Sequence, residues 1–266
     1  MTRTFLALLH FDGRGFIGWQ RQAAGRSVQG VVEQVLSRLA AQEIAVAGAG
    51  RTDAGVHAEG LGVSFAMPAR WEAAPLRRGL NALLPPDCWA EEVREMAPGF
   101  HARKSALTRS YRYVVGTDDS AASPFRRPYE WALRRPLDFA LLERAADVIR
   151  GEHVFEAFSV RGQEKAHYRC TLARAEWQLR EGRGAVFHVE ADRFLHHMVR
   201  MLVGTMVDIA LHRRPLEDMK RLLAGRDNQE TSAPAPPEGL YFVRATYPAS
   251  LYRTPAEDLH ETLREE

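Results

Sequence analysis

The densest run of chemically capable residues is Ala49-Gly50-Arg51-Thr52-Asp53-Ala54-Gly55-Val56-His57-Ala58. Its glycines let the backbone turn tightly and approach a substrate closely, and an arginine beside an aspartate favours the ionised acid. Asp53 is therefore a candidate carboxylate for attack on a substrate or for removing a proton. An Asx-type turn joining two strands would use the same residue types. His57 reads as a solvated loop histidine, since no other His, Cys or carboxylate stands at ligand spacing to make it a metal site. No metal centre is expected.

Arg200 is the second candidate. It interrupts the largely apolar Phe194-Leu195-His196-His197-Met198-Val199-Arg200-Met201-Leu202-Val203. Such an arginine either carries its head group out to water along its aliphatic stem or pairs, desolvated, with a carboxylate from elsewhere. Asp53 and Asp208 are the candidate partners. A lone buried arginine is costly and a buried carboxylate drifts toward its neutral form, so an Arg200–Asp53 pair would answer both needs. The third candidate is Arg109-Ser110-Tyr111-Arg112-Tyr113. On a strand, Tyr111 and Tyr113 share one face with Arg109, while Ser110 and Arg112 share the other. Aromatics interleaved with arginine suit a stacked base and its phosphates, whereas the alternative is a pair of half-buried sheet tyrosines.

The elements that must position these residues follow from periodicity. Residues 4–11 alternate as a strand that ends at Asp12-Gly13, and Ser27 caps a helix whose Val28, Val31, Val32, Val35, Leu36 and Leu39 share a face. Strands at 44–49 and 61–67 flank the polar segment Gly50 to Gly60, Pro75 opens a helix to about Leu84, and 87–96 reads as a strand. The second half repeats the order: a strand at 105–116, a helix at 138–150, strands at 170–180 and 184–192, helices at 194–211 and 215–224, and a strand at 240–247. Two β-α-β-β-α-β runs predict an α+β protein of two ferredoxin-like halves with antiparallel sheets, joined across a central cleft. The expected division is 1–104, carrying Asp53, then 105–248, carrying Tyr111 and Arg200, then an acidic tail over 249–266. Three long connections remain, Thr117 to Pro136, Ser159 to Arg169 and Asp227 to Glu238; each is either a functional loop or a surface excursion, and basic residues tilt only the first two toward RNA contact.

Composition narrows the partner class. The net charge of +2 hides a basic body, since residues 1–253 hold 35 basic and 29 acidic residues. Nearly all the basic residues are arginine, whose fork suits phosphate, although compositional bias or adaptation to heat would give the same excess. Clusters at Arg77-Arg78, Arg103-Lys104, Arg109, Arg112, Arg126-Arg127, Arg134-Arg135 and Arg213-Arg214 offer phosphate contacts. Cys88 and Cys170 lack the spacing of a zinc site and read as buried and reduced. No apolar run reaches the roughly 20 residues of a membrane span, and no signal peptide is visible, so a cytoplasmic location and no membrane partner are expected.

From about Phe11 to Pro248 the chain resembles the tRNA pseudouridine synthase A family. The hallmark is the unbroken string Gly50 to Ala58. Supporting matches are Gly18-Trp19-Gln20, Asn81-Ala82-Leu83-Leu84-Pro85, Phe100-His101-Ala102-Arg103, Tyr111-Arg112-Tyr113, Phe194 to Arg200, and Gly239-Leu240. The resemblance implies that Asp53 is catalytic, that Tyr111 stacks on the target base, that Arg200 is the ionic partner of Asp53, and that Arg51 helps hold a flipped-out nucleotide. It also implies isomerisation of uridines at positions 38, 39 and 40 of the tRNA anticodon stem-loop, no cofactor, and a homodimer gripping one tRNA. The chain departs from the family after Asp12-Gly13, where Arg14, Gly15 and Phe16 replace the usual small hydroxyl residue and aromatic.

The implied reaction breaks the N1–C1′ bond of uridine, turns the base and rejoins it through C5, without redox change. A carboxylate that attacks the sugar or takes its C2′ proton meets the need, provided that it stays ionised. Two other classes compete. A binder made of two RRM-like halves would share the element order but should carry the RNP1 signature, which is missing. An RNA or nucleoside glycosidase would want two positioned carboxylates, and only Asp53 stands out.

Overall fold

The computed structural model describes residues 1–160 and 167–253. Most of the acidic tail and the middle of the Ser159–Arg169 connection fall outside the described residues. The first half runs β1 (Thr2–Phe11), α1 (Val28–Ala40), β2 (Val46–Gly48), β3 (His57–Pro68), α2 (Ala73–Leu83) and β4 (Cys88–Met96). The second half adds β5 (Thr108–Gly116), β6 (Trp131–Ala132), α3 (Phe139–Val148), β7 (Gly151–Val154), β8 (Arg169–Arg180), β9 (Gly184–Ala191), α4 (Met198–Ala210), α5 (Glu217–Ala224) and β10 (Leu240–Thr246).

All strands among the described residues join one sheet, ordered β4-β1-β3-β10-β5-β9-β8-β7, with β2 on β3 and β6 on β5. Each half repeats one ferredoxin-like order, β4-β1-β3-β2 and β10-β5-β9-β8, and the α+β reading holds. The halves meet where β10 slots between β3 and β5. Its pairing with β5 is antiparallel, and its pairing with β3 is parallel through Tyr241 with His57 and Phe242 with Ala58. β10, the last strand among the described residues, is thus the seam that joins the half bearing Asp53 to the half bearing Tyr111 and Arg200.

Helices cover one face, and two apolar cores form beneath them. One packs Phe5, Leu9, Leu36, Leu61, Val63 and Leu80 between sheet, α1 and α2. The other packs Leu142, Phe155, Phe187, Met198, Leu202 and Met206 between sheet, α3 and α4. Tyr111 touches both cores, and Phe242 and Leu240 on β10 enter one core each. α1 starts as expected, with Ser27 Oγ accepting from Gly30 N at 3.2 Å.

Several boundaries differ from the sequence expectation. β3 begins at His57 rather than 61, because β10 offers the start of the strand a partner that periodicity cannot see. α2 starts at Ala73, so Pro75 lies within the first turn, where a missing N–H costs nothing. α4 starts at Met198 rather than 194, since His197 takes the left-handed conformation at φ 62, ψ 3 and breaks the run. The helix expected over 138–150 ends at Val148, and Gly151, at φ +89, turns the chain into β7, a short edge strand that periodicity does not reveal.

Candidate active site

Asp53 sits on the loop between β2 and β3, and this loop is shaped by its neighbours. Trp19 N donates to Thr52 O at 3.0 Å, and Val56 N closes a turn on Asp53 O at 3.2 Å. Gly18 makes the first contact possible. Its φ of +110 suits glycine, and a Cβ there would lie 2.6 Å from Thr52 O. The loop is thereby pinned from behind, with Asp53 facing a cleft lined also by Arg51, Tyr111, Phe194, His196, His197 and Arg200.

Arg200 reaches Asp53 from the first turn of α4. Its Nη1 donates to Asp53 Oδ2 at 3.0 Å, with the two side chains 15% and 22% exposed. Asp208, the other candidate partner, pairs with Arg213 at 3.0 Å instead. The guanidinium is fixed from its far side as well, because Nε donates to Ala235 O at 2.6 Å and Ala235 N donates back to Arg200 O at 2.9 Å. Of the two readings open for the connection Asp227 to Glu238, the structure favours the functional one, because the segment is packed in place behind the arginine. Ala235 is fully buried, Ser232 N donates to Thr205 Oγ1 at 3.4 Å, and Pro236 O accepts from the Tyr113 hydroxyl at 2.7 Å.

Two further groups converge on the same carboxylate. His197 Nε2 lies 3.2 Å from Asp53 Oδ2 and His196 Nε2 lies 3.5 Å from Oδ1. Burial works to raise the Asp53 carboxyl, but hydrogen bonding and charge from His197 and Arg200 outweigh it and hold the group below its ordinary value. The site therefore presents an ionised carboxylate in a largely apolar setting. Asp53, His196 and His197 also bring three donor atoms within 4.8 Å of one another, a set of metal-binding type. The Arg200 cation on the same carboxylate opposes a second cation there.

Tyr111 forms the floor. Its ring packs edge-on against Phe194 at 4.9 Å and Phe242 at 5.1 Å. Burial pushes its hydroxyl well up, against a smaller opposing pull from Arg109, so the phenol stays protonated at neutral pH. Tyr113, on the same face, is completely buried and serves the fold. Both tyrosines point to the helix-covered side of the sheet, unlike the open-face aromatics of an RRM. Arg51 is exposed at the cleft, with no hydrogen bond or ion pair from its side chain among the described residues.

The remaining sequence candidates divide. His57 is buried rather than solvated: Gly13 N donates to its Nδ1 at 3.1 Å, its Nε2 meets Pro128 O at 3.1 Å, and it stacks on Tyr241 with centroids 4.8 Å apart. Burial lowers its pKa, and the neutral ring is a fastener between the Asp12–Gly13 turn and the Thr117–Pro136 connection. Many clustered arginines are occupied. Arg109 donates to the carbonyls of Ala49, Ala106, Arg103 and Asp192, and thereby braces the start of the Asp53 loop. Arg112 pairs with Glu59, Arg126 with Asp118 and Glu130, Arg134 with Asp119, and Arg214 with Asp218. Arg78, Arg103, Lys104, Arg127 and Arg135 are exposed, and their side chains have no such partner among the described residues. In the departing turn, Arg14 is tied to Asp12 and to the Tyr129 hydroxyl.

Sequence reasoning missed His196 and His197 as partners of Asp53. The only signal was their adjacency at the start of an apolar helix, which does not say what they face. Among the described residues lining the cleft, Asp53 is the one carboxylate, so the acid–base pair of a two-carboxylate glycosidase is not assembled there.

The chain can be set beside known proteins. A family model described as tRNA pseudouridine synthase matches residues 145–248. The tRNA pseudouridine synthase A of Moorella thermoacetica is 40% identical over 241 residues, covering 90% of this chain and 97% of that protein. The protein of the same name from Shewanella sp. strain MR-4 is 39% identical over 241 residues, covering 90% and 91%, and that from Myxococcus xanthus is 36% identical over 239 residues, covering 90% of each. With identity of this level running nearly end to end, over a fold that pins one ionised aspartate in an aromatic-floored cleft, the chain belongs to the tRNA pseudouridine synthase A family.

Proposed function

We propose that this protein isomerises uridine to pseudouridine in tRNA, at positions 38, 39 and 40 of the anticodon stem-loop, with Asp53 as the catalytic carboxylate. The observation that carries the reading is the Asp53–Arg200 pair at 3.0 Å, set in a cleft floored by Tyr111. The target nucleotide leaves its stack and enters the cleft, where the Tyr111 face and the Arg51 cation receive it; stacking of this kind offsets about 1–3 kcal/mol of the cost of flipping. Asp53, held ionised by Arg200 and His197, acts on the sugar as the N1–C1′ bond breaks. The uracil turns, C5 bonds to C1′, the C5 proton leaves to solvent, and N1 gains a proton. Atoms and charge balance without cofactor or metal.

The half that carries Asp53 extends to about residue 104, and the half that carries Tyr111 and Arg200 runs from 105 to 248; the cleft needs both. The working form is a cytoplasmic homodimer that grips one tRNA between its subunits. Among the described residues, no helix is long and apolar enough to cross a membrane.

Incubation with an unmodified tRNA transcript carrying tritium at uridine C5 tests the reading. Tritium release with a mass-neutral RNA product, mapped to positions 38–40, is expected. Free uracil would mark a glycosidase, and binding without either product would mark a non-catalytic RNA-binding protein.

A further inference from the structure

His196 and His197 are adjacent in the chain, yet both rings reach one carboxylate, Nε2 of His197 at 3.2 Å from Asp53 Oδ2 and Nε2 of His196 at 3.5 Å from Oδ1. Neighbouring side chains ordinarily diverge, to opposite faces of a strand or about 100° around a helix. The left-handed backbone of His197, at φ 62 and ψ 3, folds the two rings onto one side with centroids 4.2 Å apart. A residue with a Cβ rarely adopts that conformation, and it persists only where the surroundings impose it. The position is also the N-cap of α4, where a side chain would ordinarily bond to a free helix N–H, but His197 makes no such bond. The ring is turned toward Asp53 instead.

We propose that His197 is a positioning residue for Asp53: its Nε2–H and the Arg200 guanidinium together pin Oδ2, keep the carboxylate ionised and fix Oδ1 as the oxygen that meets the substrate. An imidazole with its proton on Nε2 suffices as donor. The titratable and charged groups facing the carboxylate are His196, His197 and Arg200 from the α4 side, Tyr111 from β5 and Arg51 from the loop of Asp53 itself. The proposal rests on the reading of Asp53 as the catalytic carboxylate.

Two variants separate this role from a merely structural one. His197→Asn tolerates the left-handed backbone, but its amide is too short to reach Asp53. His197→Gln carries an amide N–H to about the reach of Nε2. Two readouts apply: single-turnover tritium release from tRNA labelled at uridine C5, as a function of pH, and titration of the Asp53 carboxyl by 13C NMR in the free protein, its signal assigned by absence in Asp53→Asn. For His197→Asn the acid limb of the rate profile and the carboxyl midpoint should both move up by about one pH unit. The rate constant at saturating tRNA should fall by about tenfold, with KM little changed. His197→Gln should restore more than half of both shifts. An unmoved carboxyl midpoint in His197→Asn, whatever happens to the rate, or a change confined to KM, would overturn the proposal. A wild-type protein that releases no tritium would sink the functional reading instead, while the carboxyl titration still decides whether His197 governs Asp53.

Discussion

Replacing Arg200 with methionine removes the guanidinium and keeps the apolar stem. Two hydrogen bonds are lost, Nη1 to Asp53 Oδ2 at 3.0 Å and Nε to Ala235 O at 2.6 Å. A bond to a charged group contributes about 1.5–3 kcal/mol and an ordinary one about 1 kcal/mol. Breaking a fully buried pair typically costs about 3–5 kcal/mol, but these side chains are 15% and 22% exposed, so water screens part of the loss. The expected destabilisation is about 2 kcal/mol, or a fall of roughly 4–8 °C in Tm for a chain of this size. The pair's own share emerges from a double-mutant cycle with Asp53→Asn, read by urea denaturation, with a coupling energy of about 1–2 kcal/mol expected. The sign with pH is fixed by the direction of the Asp53 shift. Its folded carboxyl lies below the ordinary 3.8, so the contribution is full above the unfolded value and is lost as pH falls through the folded one. Arg200→Met should therefore flatten that acid-side loss of stability. Turnover at neutral pH should drop by about 100-fold through misplacement of Asp53 and loss of the charge beside it. A coupling energy below about 0.3 kcal/mol, together with turnover within about twofold of wild type, would refute the reasoning.

Other outcomes follow from the same geometry. Asp53→Asn should abolish tritium release while leaving tRNA affinity within a fewfold, as read by filter binding; turnover by a homogeneous preparation would remove Asp53 from its role. Tyr111→Phe should keep its packing against Phe194 and Phe242 and most of its binding, whereas Tyr111→Ala should lose both, and equal defects would assign the work to the hydroxyl. Affinity for tRNA should fall about 50- to 150-fold between 50 and 200 mM salt if the unpaired Arg78, Arg103, Lys104, Arg127 and Arg135 contribute about four phosphate contacts, and a flat isotherm series would exclude them. Gly204→Ala, normally favourable inside a helix, should cost about 1–3 kcal/mol here, because its Cβ would collide with Ala233 O and push the connection off Arg200. A variant with unchanged melting and turnover would show that the connection does not brace the arginine.

What the sequence determined by itself is local. The periodicity of α1 and its Ser27 cap, the alternation along β1 and β5, and the repeated β-α-β-β-α-β order all follow from where apolar residues recur, a property of neighbours in the chain. The string from Gly50 to Ala58 marked Asp53, and an arginine within an apolar helix marked Arg200, because a charge in such a setting demands a partner. Tertiary structure decided which partner. Asp208 was nearer in sequence and lies on the same helix as Arg200, but it is taken by Arg213 just beyond the end of that helix, while the seam made by β10 brings Asp53 to Arg200. The same seam started β3 early, and a left-handed backbone at His197 aimed two histidines where no pattern pointed. Arg109, Arg112 and Arg126, offered by composition as phosphate contacts, were claimed by carbonyls and carboxylates that only the folded chain brings near. Hydrogen bonds and ion pairs act over a few ångströms, so the partners they join are set by how distant segments pack, and the linear order of residues does not contain that distance.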